Sequence, residues 1–325
     1  MLLPVLAYLI ERLVNTGKWK GYCLVLGYGI LTSYYMGFML CTFAALYYVV
    51  QMIILEKEKR PEKIPHSLLK FAGASIGGAG LAGITLIPGI VAVSRTPAAA
   101  EAGTGLQGVY GDIWKQLGAL MEDSMSFVKS GEQGDVNLYC GCAVLLFAGI
   151  YFLNKEIRRT EKIMLGAMAL LYFAGFHITA LNLLFHGMHK PVGIPNRFAF
   201  ILIFLLLKIS CDAWGKLEKE SGKRILAGFI LAEIFCTVVG LKSGKGLGTL
   251  LTDGVIAAFF SSGVDGQFSL WKTSVTSVGT CGNQEDRISG PGRNDTCGNR
   301  NPWCFQYHRQ RNCQTVMFMR KVTGK

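Results

Sequence analysis

Four long apolar runs without a charged residue constrain this chain more than any other feature. They cover Gly21–Leu55, Phe71–Ser94, Val136–Asn154 and Ile163–Phe185. A helix needs roughly 20 apolar residues to cross a bilayer, so each run is long enough or nearly so. Only 17% of the residues are charged, against about a quarter in soluble domains. The sequence therefore predicts an all-α polytopic membrane protein, a transmembrane helix bundle of about seven to eight spans.

The positive charges are unevenly placed, although the net charge of +12 first suggests a nucleic-acid partner. Twelve Lys and Arg residues lie in the short loops Glu56–Ser67, Lys155–Lys162 and Gly215–Arg224. The two connections on the other side, Arg95–Asp135 and His186–Arg197, hold five. The positive-inside rule then places the three basic loops in the cytoplasm. We expect no nucleic-acid partner, because the chain has no basic groove with interleaved aromatic residues.

The first apolar run is too long for one straight span. Its 35 residues would extend about 52 Å, far beyond a bilayer core of ~30 Å. The sequence Thr32–Gly37 offers a break, which predicts a hairpin of two spans. Tyr34 and Tyr35 then lie at the outer interface, where they would form an aromatic belt or contact a ligand. Before the hairpin, Met1–Val14 resembles the end of a span.

The later runs predict single spans. The glycines of Phe71–Ser94 recur at the spacing that allows close helix packing. Between the outer ends of two spans, Ile113–Val128 has the apolar pattern of a helix lying on the membrane. Two further spans, Phe198–Trp214 and Ile225–Leu241, follow the last long run. They carry an expected Lys208–Asp212 ion pair and Glu233. Glu233 is a candidate functional residue because it is an ionisable group inside a predicted span.

A polar elbow, His186–Phe200, separates two apolar segments on the predicted outer side. Pro191 and Pro195 keep it out of helical conformation. Arg197 follows at the headgroup layer, where a guanidinium can hold a phosphate with two hydrogen bonds. We predict that the elbow binds an anionic lipid headgroup; ordinary snorkelling of Lys and Arg, with capping by Asn196, is the alternative. The candidate binding residues share this outer side and are Arg197, Lys190, His186, His189, Arg95, Tyr34 and Tyr35.

Three motifs occur in a characteristic order. They are Ser33–Met39 (SYYMGFM), Asn137–Gly141 (NLYCG) and the elbow His186–Phe200 (HGMHKPVGIPNRFAF). Over about residues 1–260 the chain resembles the YfhO-type bacterial membrane proteins, which are similar to multi-pass glycosyltransferases of the GT-C fold. The resemblance implies a location in the bacterial plasma membrane. It also implies transfer of a sugar from a polyprenyl-phosphate donor to a cell-envelope polymer, such as a teichoic acid, outside the cell.

The resemblance implies a role for the cationic residues, and it leaves one expected acidic residue without a match. Cationic groups neutralise the departing lipid phosphate, and Arg197 with Lys190 or Arg95 suits that role. The acidic residue expected to activate the acceptor has no matching position, because Met1 falls where the second span is under way. Asp112, Glu122 and Asp123 are on the correct side but match no motif, so the catalytic residues stay unknown. We predict no metal site, and a divalent cation is the one cofactor left open.

Two domains are expected. Residues 1–264 form the membrane bundle, and residues 265–325 form a polar tail rich in Gly, Asn and Arg, interpreted as disordered or as a reading-frame change. The cysteines of the tail fit no familiar zinc module. Besides the transferase, two functions stay open: a transporter or flippase for a lipid-linked sugar, and a folded fragment that is inactive because it lacks the catalytic loop.

Overall fold

The computed structural model describes residues 2–57, 64–95, 112–121, 136–187, 196–217 and 221–244. All of them belong to one compact unit, Met1–Leu270, and the second unit, Trp271–Lys325, lies outside the described residues. The predicted tail is therefore not described. Within the described residues the regular structure is entirely helical. Its helices are α1 Leu3–Thr16, α2 Lys20–Thr32, α3 Tyr34–Lys57, α4 Ile64–Leu81, α5 Gly83–Ser94, α6 Ile113–Gly118, α7 Cys142–Leu153, α8 Arg159–His177, α9 Thr179–Phe185, α10 Ala199–Gly215 and α11 Gly222–Lys242.

The chain is a helical membrane protein, as the apolar runs predict. Among the described residues, α3 and α11 are each long and apolar enough to cross a bilayer alone. The pair α4 and α5 passes the same test together and is bent by 76° at the break between them. The predicted total of about seven to eight spans stays a prediction.

The break predicted within Gly21–Leu55 is confirmed, and α2 and α3 form a hairpin; that both helices cross the membrane stays a prediction. Ser33 adopts an extended conformation between α2 and α3 (φ −161°, ψ 112°). The two helices then pack closely, since a Cβ at Gly37 would lie 2.7 Å from the Cα of Ile30 and a Cβ at Gly29 2.7 Å from a methyl group of Leu40. Because the later residue of α3 meets the earlier residue of α2, the two helices are antiparallel.

The span predicted over Phe71–Ser94 consists of two helices at a sharp bend, and the pair is apolar enough to form one broken span. It breaks at Ala82, between α4 and α5, where glycines weaken the helix and Pro88 of α5 cannot donate a backbone hydrogen bond. The packing role of the glycines is confirmed at Gly78, where a Cβ would lie 3.0 Å from the carbonyl oxygen of Cys23 on α2. A Cβ at Gly73 would meet no atom within 4 Å.

The run Ile163–Phe185 is also not one helix. Helix α8 ends at His177, Ile178 is extended, and α9 turns back along α8. The Asn182 side chain donates to the carbonyl oxygen of Gly175 at 3.0 Å. A Cβ at Gly175 would lie 2.7 Å from the ring of Phe185. This reversal brings His186 back among the helices rather than leaving it at the end of a straight span.

The predicted surface helix Ile113–Val128 is wrong in its described part. Helix α6 ends at Gly118, and Leu120 and Met121 are buried in the core beyond it. The Gln116 side chain donates to the carbonyl oxygen of Phe176 on α8 at 3.1 Å. The segment therefore packs into the bundle, because its polar side chain finds a buried backbone acceptor. Asp112, one of the acidic candidates, accepts a hydrogen bond from the backbone of Trp114 as the N-cap of α6.

Candidate functional site

Four aromatic rings form a base beside the described ends of the elbow. They belong to α8, α9 and the start of α10, and all are buried: Tyr172, Phe176, Phe185 and Phe198. The rings of Phe176 and Phe198 stack with their centroids 4.7 Å apart, and those of Tyr172 and Phe185 with centroids 4.6 Å apart. Such pairs contribute about 0.5–1.5 kcal/mol beyond their area. The base fixes both ends of the elbow, at His186 and at Phe198.

A buried pair of asparagines joins the two ends directly. Asn182 donates to the side-chain oxygen of Asn196 at 2.7 Å, and both residues are almost fully buried. Asn196 has a positive φ of 54°, a conformation that asparagine tolerates better than most residues. The side chain of Asn196 therefore links the two sides of the elbow.

Arg197 lies between the buried residues Asn196 and Phe198, yet its own side chain is exposed. Its guanidinium carbon lies 5.2 Å from the centroid of the Tyr35 ring. At this separation the ring attracts the cation through its electron-rich face. The arginine is consequently held on a rigid backbone and oriented by an aromatic ring, while its charge faces the surroundings of the protein.

His186 is 1% exposed and lies just beyond α9. Its Nδ1 is 2.8 Å from the carbonyl oxygen of Asn182. Because a carbonyl oxygen can only accept, Nδ1 donates, and the neutral imidazole then carries its lone pair on Nε2. Nε2 is buried and has no hydrogen-bond partner among the described residues. It lies beside the rings of Phe198 and Tyr35, whose centroids are 5.2 Å and 6.2 Å from that of the imidazole. It is therefore an unused acceptor next to the Arg197 guanidinium.

The structure thus brings together four of the predicted residues, Tyr34, Tyr35, His186 and Arg197. Tyr34 and Tyr35 meet edge to face with their centroids 6.5 Å apart. Arg95 is exposed at the end of α5 and forms no hydrogen bond or ion pair with these four in the described part of the chain. His189 and Lys190 lie outside the described residues. Their binding roles stay predictions.

Burial lowers the pKa of the His186 imidazole below 6.5; the backbone hydrogen bond to Asn182 opposes this shift and the Arg197 charge adds to it. An unfolded histidine takes up a proton as the pH falls through about 6.5, whereas the folded one does so only at lower pH. Stability should therefore fall with the pH below about 6.5 and be unaffected by this group above it.

We predict that the thermal midpoint of the protein in detergent falls less between about pH 7 and pH 5 in His186→Gln than in the unmodified chain. Thermal unfolding followed across this pH series is the measurement. The matched control is His66→Gln, which replaces an exposed histidine at the start of α4 and should retain the full pH dependence. Identical pH profiles for His186→Gln and the unmodified chain would contradict the prediction.

A second polar cluster, at the other end of α3 and α10, was only partly predicted. The Lys208–Asp212 ion pair is confirmed, with the charged atoms 3.2 Å apart. The Lys208 ammonium group also lies 3.4 Å from Glu11 of α1, and the buried hydroxyl group of Tyr47 donates to the same carboxylate. Glu11 could have been suspected because it is an acid at the end of an apolar segment. Glu233, the other candidate of this kind, is half-buried on α11.

The family model for bacterial membrane protein YfhO matches residues 1–262. The chain belongs to the YfhO family. No curated protein and no solved structure gives a significant match. The YfhO match contains both polar clusters and every described helix. Among the described residues, no group of three or more His, Cys, Asp or Glu side chains could hold a metal ion, so the question of a divalent cation stays open.

Proposed function

We propose that this YfhO-family protein transfers a sugar from a polyprenyl-phosphate donor to a cell-envelope polymer of the teichoic-acid type at the outer face of the membrane. The exposed Arg197 side chain, held between two buried residues and placed over the Tyr35 ring, is the observation that carries the proposal. A departing polyprenyl phosphate carries negative charge at the headgroup layer. A fixed guanidinium at that depth binds and stabilises it better than a flexible cation would.

The neighbouring groups suit a sugar carrier. The Nε2 atom of His186 is a buried acceptor without a partner in the described part of the chain, so a hydroxyl group of the sugar or of the acceptor polymer can donate to it. Tyr35 offers a ring beside both residues, and Tyr34 extends this aromatic surface. His189, Lys190 and Arg95 complete the proposed binding set. The proposal assigns no residue as the catalytic base.

A flippase or transporter for a lipid-linked sugar is the second candidate. The two broken helix pairs favour it, because discontinuous helices often line a substrate path in transporters. One is α4 and α5, bent by 76°, and the other is α8 and α9, separated by the extended Ile178. Both functions use the same lipid carrier and therefore need the same phosphate-binding elbow.

One reconstitution experiment distinguishes the two candidates. The purified chain is placed in liposomes with a radiolabelled polyprenyl-phosphate sugar and a teichoic-acid polymer. Transfer predicts that label appears in the polymer, and that it does so equally when the protein is in detergent without a membrane to cross. Translocation predicts label moving between leaflets with none in the polymer. Neither transfer nor translocation would contradict both candidates.

A further inference from the structure

A water-accessible cavity of about 330 Å³ lies far from the elbow, where α1, α3, α8 and α10 meet. Gln51 lines it on α3, seventeen residues after Tyr34, which corresponds to about 25 Å of helix. The basic loop Lys155–Lys162 adjoins the cavity through Arg158 and Glu161. By the positive-inside rule the cavity opens toward the cytoplasm.

The polar wall of the cavity combines donors and acceptors. Lys208 lies between two carboxylates, 3.4 Å from Glu11 and 3.2 Å from Asp212. Glu161, Arg158 and Gln51 add a further carboxylate, a guanidinium group and an amide. The side chains of Lys208, Glu11 and Asp212 are each partly exposed, by between 21% and 35%. These three side chains are therefore accessible from the cavity, where their oxygen lone pairs and N–H groups can form hydrogen bonds to a ligand.

The charged side chains that line the cavity restrict the class of ligand that it can bind. A free cation would compete with the Lys208 ammonium group, which already lies between the two carboxylates. A free anion would face the three carboxylates of Glu11, Glu161 and Asp212, which outnumber the two cations of the lining, Lys208 and Arg158. A neutral ligand with many hydroxyl groups avoids both conflicts, since carboxylates accept from its hydroxyl groups while ammonium and amide groups donate to its oxygens.

The volume of the cavity and its apolar wall restrict the choice of ligand further. A cavity of about 330 Å³ is at the lower end of the range for small-molecule sites. Val14, Ile54 and Leu165 form its apolar wall, which suits the C–H face of a sugar ring. We propose that this cavity binds a single hexose-sized sugar unit from the cytoplasmic side, as a site separate from the elbow and independent of the function proposed for it.

The test measures sugar binding to the full chain in lipid nanodiscs without any sugar-based detergent. Saturation-transfer NMR with D-glucose and N-acetylglucosamine, titrated into the low millimolar range, should show saturable binding. Ile54→Trp fills the apolar wall without touching the ionic groups, and should raise the dissociation constant about tenfold or more. The matched control Ile76→Trp alters a side chain that is 74% exposed on α4, and should bind as the unmodified chain does.

Further binding measurements identify the class of ligand and the site at which it binds. Glycerol should bind at least about tenfold more weakly than the hexoses, and potassium or sodium chloride should not displace them. Arg197→Ala should retain binding, because the elbow is a separate site. The proposal is overturned if neither hexose saturates, if Ile54→Trp binds like the control, if glycerol equals the hexoses, or if salt displaces them.

Discussion

Replacement of Arg197 by alanine should lower the rate of sugar transfer about 100-fold, the size of effect found when one preorganised donor to a developing negative charge is removed. The side chain is exposed and its backbone is held by the buried neighbours Asn196 and Phe198. Its removal should therefore leave the fold intact. The loss would come from the missing guanidinium beside the departing phosphate.

Two further variants make this prediction specific. Arg197→Lys keeps the charge but lacks the planar fork that holds two phosphate oxygens, so its rate should lie between those of the alanine variant and the unmodified chain. Arg12→Ala removes an exposed arginine of α1, next to the second polar cluster, and should leave transfer unchanged. Transfer rates and copurified polyprenyl phosphate are measured together. Normal values of both in Arg197→Ala would show that this arginine does not bind the carrier.

The second large effect concerns the contact between α7 and α11. A Cβ at Gly228 would lie 2.7 Å from the Cα and 2.9 Å from the backbone nitrogen of Ile150. The obstacle is backbone, which cannot rotate away as a side chain can. Gly228→Leu should therefore force the two helices apart and destabilise the protein by about 2–3 kcal/mol. For a chain of this length that loss corresponds to a fall in the thermal midpoint of roughly 3–5 °C.

Gly73→Leu is the matched control for this prediction. It makes the same change on α4, at a position where a Cβ would meet no atom within 4 Å. Leucine there also has the better helix propensity, so the thermal midpoint should stay the same or rise slightly. Heating in detergent followed by size-exclusion chromatography measures both variants. Equal midpoints for Gly228→Leu and Gly73→Leu would contradict the close packing of α7 on α11.

The membrane class and the first hairpin could be predicted from the sequence. Uncharged runs require a lipid environment whatever their tertiary contacts, and the polar residues around Ser33 mark a break that the length of the run already demands. The break at Ala82 has a local signal in the flanking glycines and Pro88, but the same glycines also predict close packing of one continuous span. The break at Ile178 has no glycine or proline to mark it. There the chain reverses because Asn182 and Phe185 pack back against Gly175.

The candidate site, too, could be predicted from the sequence only in part. The elbow is visible in the sequence because polar residues and prolines interrupt apolar runs. That Tyr35 lies under Arg197 depends on how α3 meets α10, which no local pattern encodes. The burial of His186 follows from the reversal at Ile178, so a sequence that predicts one straight span places this histidine at the surface. Glu11 joins Lys208 for a similar reason, since the pair bridges helices that are distant along the chain.

Cysteine labelling from outside the cell tests the central claim most directly. Arg197→Cys and Glu56→Cys are introduced separately into a cysteine-free chain, and intact cells are treated with a maleimide that cannot cross membranes. If the elbow faces the cell exterior, the cysteine at position 197 is labelled in intact cells and the one at position 56 only after permeabilisation. The reverse pattern would place the elbow in the cytoplasm and contradict binding of a lipid phosphate at the outer face.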